Sequence, residues 1–119
     1  MINQPVFDVR EIVWVDLPVR MPRGHEQHGR RPVVIVALPE RVQQLPYRML
    51  LGVPLTRSQF TGSLFPLLSS GAGGLTADST ALVYQLLSID VDRIKGRIGI
   101  LTDDEYQPIK DALHLMMLS

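Results

Sequence analysis

Apolar residues fall along this chain in short runs separated by turn-forming and charged residues, and the runs predict strands. Ile12, Val13, Trp14, Val15 and Leu17 make the first, β-branched and aromatic, with charges before it and Pro18 after it. Pro18 and Pro22, interleaved with Arg20 and Arg23, predict an irregular loop, because neither proline fits a central strand. That loop is expected to run on to Pro32. Residues 33–37 are a near-continuous apolar run of buried-strand length, and 49–56 form a third strand in which Gly52 and Pro54 mark a bend. Between them, 39–47 reads as a connection with a helical turn at 40–44.

The second half is more broken. A polar loop at 57–63 carries Phe60, and 64–68 is a short edge strand because Pro66 removes a ladder donor. The serine- and glycine-rich 69–74 segment is expected to be a flexible turn. Strand character returns at 81–84 and 97–101. Thr102 and Glu105 then have the spacing of a capping box, and Tyr106, Ile109, Leu113 and Met116 recur at helical intervals. Pro108 would cost ~3 kcal/mol in a helix interior, so the helix is expected to restart near it. About six short strands and one closing helix describe a mainly β chain, a small curved barrel or sandwich, in one domain over residues 1–119.

Composition narrows the chemistry. With 119 residues, 45% of them hydrophobic and 20% charged, the chain can build a real core. There is no cysteine, which removes disulfides, thiolate ligands and thiol nucleophiles. No apolar stretch approaches the roughly 20 residues of a membrane span, and the N-terminus does not resemble a signal peptide, so a cytoplasmic protein is expected. Net charge is zero, yet residues 1–60 hold eight arginines against five acids and residues 61–119 four bases against seven acids. A polarised chain of this kind can steer a polyanion to one face.

The densest polar stretch is Gly24, His25, Glu26, Gln27, His28, Gly29, Arg30 and Arg31, closed by Pro32. Carboxylate, imidazole and guanidinium groups in a glycine-bounded loop suggest an anion site. Taken singly, Arg31 reads as a surface arginine, Glu26 as a partner for Arg23 or Arg30, and Thr56 as an ordinary strand-end residue. Their order is what carries information. The first strand, then Gly24-x-Glu26-Gln27-x-Gly29-x-Arg31-Pro32 leading into a second strand, then Val53-Pro54-Leu55-Thr56, then Asp78-Ser79-x-Ala81-Leu82-x-x-Gln85-x-x-x-Ile89-Asp90, resembles the MazF/PemK family of toxin ribonucleases from about residue 11 to the last helix.

The resemblance implies a small SH3-like barrel of the CcdB/MazF type with a C-terminal α-helix, usually a homodimer. It implies metal-independent, sequence-specific cleavage of single-stranded messenger RNA by 2′-hydroxyl attack, leaving a 2′,3′-cyclic phosphate and a 5′-hydroxyl. No cofactor and no metal are implied, and the partner implied is a cognate MazE-like antitoxin that enters the basic groove as an extended acidic peptide. Arg31 takes the place of the family's essential arginine, whose fork of donors suits phosphoryl oxygens. Thr56 matches a strand-end threonine able to donate to the same phosphate. Glu26 matches a glutamate that orients the arginine or accepts the 2′-hydroxyl proton.

Arg20, Arg23, Arg30 and Arg57 are candidates for holding RNA phosphates. Gln27, His25, His28 and Gln85 are candidates for RNA contact, and an imidazole changes charge near neutral pH, so either histidine can move a proton. Tyr47 and Phe60 are loop aromatics on which bases can stack, and core packing explains them equally well. Trp14, inside an apolar strand, reads as core or dimer interface. Arg10 stands where the family often has glycine, and the 18–23 loop is longer and richer in arginine than usual. Two other readings of the same fold are a binding toxin such as a CcdB-like gyrase poison and a catalytically silent barrel.

Overall fold

The structure, a computed structural model, describes residues 6–19 and 24–118. Seven strands and one helix follow in the order β1 (Glu11–Leu17), β2 (Gly29–Ala37), β3 (Met49–Thr56), β4 (Leu67–Leu68), β5 (Ser79–Ala81), β6 (Leu87–Asp90), β7 (Ile94–Ile100) and α1 (Asp103–Leu118). Every pairing is antiparallel, in the order β4-β5-β3-β2-β1-β7, with β6 also on β3. β3 is the pivot. One of its edges meets β2, while the other is shared between β6 along Met49–Gly52 and β5 at Leu55 and Thr56. Splitting that edge between two partners bends the sheet on itself. The expected mainly β barrel closed by a C-terminal helix is what the chain forms.

Strand alternation sorts the apolar residues into two cores. On β1, Val13, Val15 and Leu17 face one cluster with Val33 and Ile35 of β2, Leu50 and Ile89. Ile12 and Val34 face the other cluster with Val53, Leu55 and Leu101, and α1 covers it through Tyr106, Ile109 and Ala112. A side chain such as Ile109, fully buried there, contributes roughly 1.5–3 kcal/mol. No described helix is long and apolar enough to cross a membrane.

Several elements differ from the sequence expectation, each for a local reason. β2 begins at Gly29 and not after Pro32, because β1 pairs with it out to Leu17↔Gly29. Pro32 stands where β2 has only β1 beside it, since the β3 register opens at Val33↔Pro54, and a missing N–H is tolerated at such an open side. The expected strand at 81–84 is two strands separated by a tight 3-10 turn at Val83–Gln85, which brings the number of strands to seven among the described residues. The 69–74 segment is packed and not a free turn: Ala72 is buried, and the Gly71 N–H donates to the Leu75 carbonyl at 2.7 Å.

α1 starts as the capping box requires. The Thr102 N–H donates to Glu105 Oε1 at 2.9 Å and the Glu105 N–H to Thr102 Oγ1 at 3.1 Å. The helix does not restart at Pro108. The carbonyl deprived of its donor is that of Asp104, an exposed residue, so its loss is not a buried unpaired group. The buried residues Tyr106, Ile109 and Ala112 on the core side hold the helix continuous through the proline.

Candidate functional site

A groove of about 700 Å³ opens where β1, β2, β3 and β7 come together. Its wall carries Arg31 from β2, Thr56 and Arg57 from the end of β3, Trp14 from β1 and Arg97 from β7, with Gln27, Arg30 and the 74–77 segment on the rim. The lining includes four arginines and no carboxylate residue. Sheet register explains the convergence of the two main candidates. The ladder Ile35↔Gly52, Val34↔Val53, Val33↔Pro54 ends beside the groove, and Arg31 and Thr56 each stand two residues beyond its last pair.

The four guanidinium groups are not equivalent. Arg30 lies opposite Asp16 in the β1–β2 register and donates to its carboxylate from Nε at 2.9 Å and from Nη2 at 3.3 Å. That pairing holds the Asp16 carboxyl below its ordinary value and raises Arg30. Arg97 is occupied as well, by the nearly buried Glu11 at 3.2 Å and by the Phe7 ring 4.6 Å from its Cζ. Among the described residues, no carboxylate pairs with Arg31 or Arg57. Arg31 donates from Nε to the His28 carbonyl at 3.1 Å, which anchors the side chain beside the groove.

Thr56 is held in a complementary way. Its Oγ1 accepts the Ser58 N–H at 3.2 Å, so the hydroxyl proton remains available to donate. Gly29 has φ +76, the left-handed region open to glycine, and that turn delivers the chain from the polar loop into β2 directly before Arg30 and Arg31.

Glu26 stands elsewhere. It lines a second, smaller depression of about 180 Å³ together with Tyr84, Gln85, Pro54, Leu17 and Leu87. Gln27 lines both depressions, so the two adjoin along this residue. The Glu26 carboxylate folds back over Gly24, where an added Cβ would come 2.6 Å from Oε2. Gln85 ties the loop down. Its Oε1 accepts the Gln27 N–H at 3.0 Å, and its Nε2 donates to the His25 carbonyl at 3.3 Å and to the Tyr84 hydroxyl at 3.1 Å.

The structure therefore brings together Arg31, Thr56, Arg57, Arg30 and Gln27, and sets Glu26 and Gln85 in the adjoining depression. His25 and His28 line neither; their carbonyls serve Gln85 and Arg31. Arg20 and Arg23 lie outside the described residues. Tyr47, 72% exposed, lines a separate depression with Glu40, Arg41 and Arg48, away from the groove. Phe60 stacks on Phe65 at 5.2 Å. Trp14 is not core. It is the exposed residue of β1 between buried Val13 and Val15, and the period of two along that strand was the signal that could have placed it on the other face. Tyr84 and Arg97 were not singled out from sequence, and nothing local marks either. Among the described residues, no three His, Asp or Glu side chains gather as metal ligands.

No curated protein matches the chain by sequence. Solved structures match its fold. A MazF from Deinococcus radiodurans superposes with a TM-score of 0.74 at 20% identity, over 98% of this chain and 100% of that one. An endoribonuclease from mycobacterial species, solved in complex with its cognate antitoxin, gives 0.69 at 18% identity over 92% of each chain. The Mycobacterium tuberculosis toxin MazF-mt6 gives 0.70 at 18% identity, over 91% of this chain and 96% of that one. At these identities the likeness is one of fold. A family model adds the lineage by matching residues 8–117, nearly the whole chain. This protein belongs to the PemK-like, MazF-like toxins of type II toxin–antitoxin systems.

Proposed function

We propose that this toxin is a metal-independent endoribonuclease that cuts single-stranded RNA, messenger RNA in the cell, at a short sequence. The observation that carries the reading is the placement of Arg31 and Thr56 in one groove, each just beyond the last β2–β3 pair, with no carboxylate residue in the lining. A scissile phosphate seated there meets a fork of donors from Arg31 and a hydroxyl donor from Thr56. Both strengthen as charge builds on the pentacoordinate phosphorus. Arg57 lines the same groove and holds a neighbouring phosphate, while Arg30, which also lines it, is engaged by Asp16.

Glu26 is the carboxylate nearest in sequence to Arg31. From the adjoining depression it accepts the proton of the 2′-hydroxyl as that oxygen attacks phosphorus. The departing 5′-oxygen takes its proton from water in the open groove. The products are a 2′,3′-cyclic phosphate and a 5′-hydroxyl. Gln27, His25 and His28 belong to the loop that frames the RNA, the two histidines through their backbone carbonyls, and Gln85 fastens that loop from the 3-10 turn before β6.

The antitoxin expected is an acidic peptide that lies in the same arginine-lined groove and excludes RNA from it. The mycobacterial relative solved with its cognate antitoxin supports a partner of this class. A homodimer and a cytoplasmic site of action complete the proposal. A gyrase-binding toxin of the same fold has no use for Arg31 and Thr56 in this arrangement.

The test is incubation of the purified protein with long single-stranded RNA in EDTA, with new 5′ ends mapped. Cleavage that persists in EDTA and is lost in Arg31→Ala is expected. Intact RNA across diverse substrates would overturn the ribonuclease reading.

A further inference from the structure

The depression beside the groove has a wall that the chemistry above leaves unused. Tyr84 is half exposed and lines it, and the ring is the end of an aromatic ladder. Phe65 meets Tyr84 edge-on at 5.6 Å and an interplanar angle of 72°. Phe60 stacks on Phe65 at 5.2 Å and 23°. The three rings come from two segments, the loop after β3 and the 3-10 turn before β6. Packing of rings against each other fixes the Tyr84 plane before any ligand arrives, which lowers the entropic cost of binding. The Tyr84 hydroxyl is also held, by Gln85 Nε2 at 3.1 Å.

Leu17, Pro54 and Leu87 supply the apolar remainder of the depression, and Glu26, Gln27 and Gln85 its polar edge. One flat ring surface, an apolar floor and a polar edge together match an unpaired nucleobase, which offers a π-face and a hydrogen-bonding rim. The small size of the depression, about 180 Å³, suits one base and not a run of them.

We infer that Tyr84 and the depression it walls form the subsite for the base of the nucleotide on the 5′ side of the scissile phosphate. The inference rests on the ribonuclease reading for its polarity. Glu26 lines this same depression, so the nucleotide whose base stacks on Tyr84 presents its 2′-hydroxyl to Glu26 and its 3′-phosphate to Arg31 and Thr56 across Gln27. Gln85 is a positioning residue in this scheme. Its amide is already committed to Gln27, His25 and Tyr84, so it sets the distance between ring and loop and does not read the base.

The experiment compares the wild type with Tyr84→Ala and Tyr84→Phe in two assays on one RNA library randomised around the cut. The first measures cleavage, with KM and kcat separately. The second measures equilibrium binding to the same sequences carrying 2′-O-methyl groups, which lack the nucleophile and stay intact. Tyr84→Ala is expected to weaken binding and raise KM by roughly tenfold or more, the size of one lost base–aromatic stack, with kcat little changed. It also flattens base preference at the position 5′ to the cut and nowhere else. Tyr84→Phe keeps the ring and therefore the stack, so it restores binding and KM.

The binding assay separates the two claims. If the wild type binds but does not cut, and Tyr84→Ala still loses affinity with preference at a single position, the subsite stands while the ribonuclease reading falls. If the wild type cuts and Tyr84→Ala binds and cuts as it does, the subsite is wrong while the ribonuclease reading survives. Absence of RNA binding by the wild type overturns both. A change in oligomeric mass with unaltered RNA preference would assign Tyr84 to a protein contact and overturn the inference as well.

Discussion

Arg31 and Thr56 each stand two residues beyond Val33↔Pro54, the last pair of the β2–β3 ladder, and they share one groove. If both donate to one phosphate, they act as a unit. Arg31→Ala is expected to lower kcat by on the order of 10²–10³, the cost of one preorganised donor to a developing oxyanion. Arg31→Lys recovers only part, because it restores charge without the planar fork. Thr56→Val loses less, Thr56→Ser recovers most of it, and the Arg31→Ala/Thr56→Val double variant falls little below Arg31→Ala alone. Single-turnover cleavage measures all five. Losses that simply multiply would show that the two side chains serve separate steps.

Asp16 restrains the groove's charge. Its carboxylate engages Arg30 through two hydrogen bonds, and the guanidinium beside it holds the carboxyl below its ordinary range. Asp16→Asn releases Arg30, which lines the groove, to face phosphate. RNA affinity at neutral pH is expected to rise. The slope of log affinity against log salt should steepen by about 0.7, the value for one added contact to a single strand. A salt titration by fluorescence anisotropy decides it; an unchanged slope would mean that Arg30 never reaches the nucleic acid.

These two pairs show which parts of the site the sequence exposes. Singly, Arg31 reads as a surface arginine and Thr56 as a strand-end residue; they are legible as candidates only through the order of motifs that resembles the MazF/PemK family. Antiparallel pairing of consecutive strands then carries both to the same groove. Arg97 and Trp14 join the same groove through β7 pairing with β1, a contact between distant parts of the chain that carries no local signature. The bulges in that pairing between Ile12 and Val13 and between Trp14 and Val15 make its register harder still to anticipate. Ala81, Leu82 and Val83 are apolar and adjacent, so the pattern places Tyr84 in a strand with them. All three are buried, yet the chain turns at Val83–Gln85 and leaves Tyr84 exposed. Tertiary packing decided the backbone there. The C-terminal helix is plain from its capping box and apolar spacing, and it runs through Pro108 without the expected restart.

Away from the groove, Glu40 and Arg48 form a two-bond pair, Nε to Oε2 and Nη2 to Oε1, each at 3.0 Å. It fastens the 3-10 turn at Pro39–Arg41 to the residue preceding β3. The Arg48 guanidinium holds the Glu40 carboxyl below its ordinary value. A carboxylate lowered by folding adds stability that is present above its unfolded pKa and is lost as pH falls through the folded one. Glu40→Gln should therefore be less stable than the wild type at pH 7. The difference should shrink as the pH drops below the ordinary carboxylate range. Urea unfolding at several pH values tests the sign, and a gap that widens in acid would contradict it.

Arg10 presents two opposed effects at one residue. Its φ of +78 is the one positive value among the described non-glycine residues, placed where its N–H donates to the Ile35 carbonyl at 2.8 Å and its carbonyl accepts from Leu101 at 2.9 Å. Those bonds knit β1 to the ends of β2 and β7, so the left-handed backbone is imposed by the sheet and costs about 1–2 kcal/mol for an L side chain. The side chain offsets part of that cost, through Nη1 to the Leu101 carbonyl at 2.9 Å and to Asp103 at 3.2 Å at the start of α1. Arg10→Ala keeps the strain and loses both contacts. Arg10→Gly loses the contacts but removes the strain, and is expected to be more stable than Arg10→Ala by about 1 kcal/mol despite the greater freedom of glycine in the unfolded chain. Asp103→Ala removes the ion pair alone, largely exposed on the Asp103 side, and should cost no more than about 1 kcal/mol. Chemical denaturation of the three variants orders them. An Arg10→Gly protein less stable than Arg10→Ala would mean that the backbone at residue 10 relaxes out of the left-handed region once the arginine is gone.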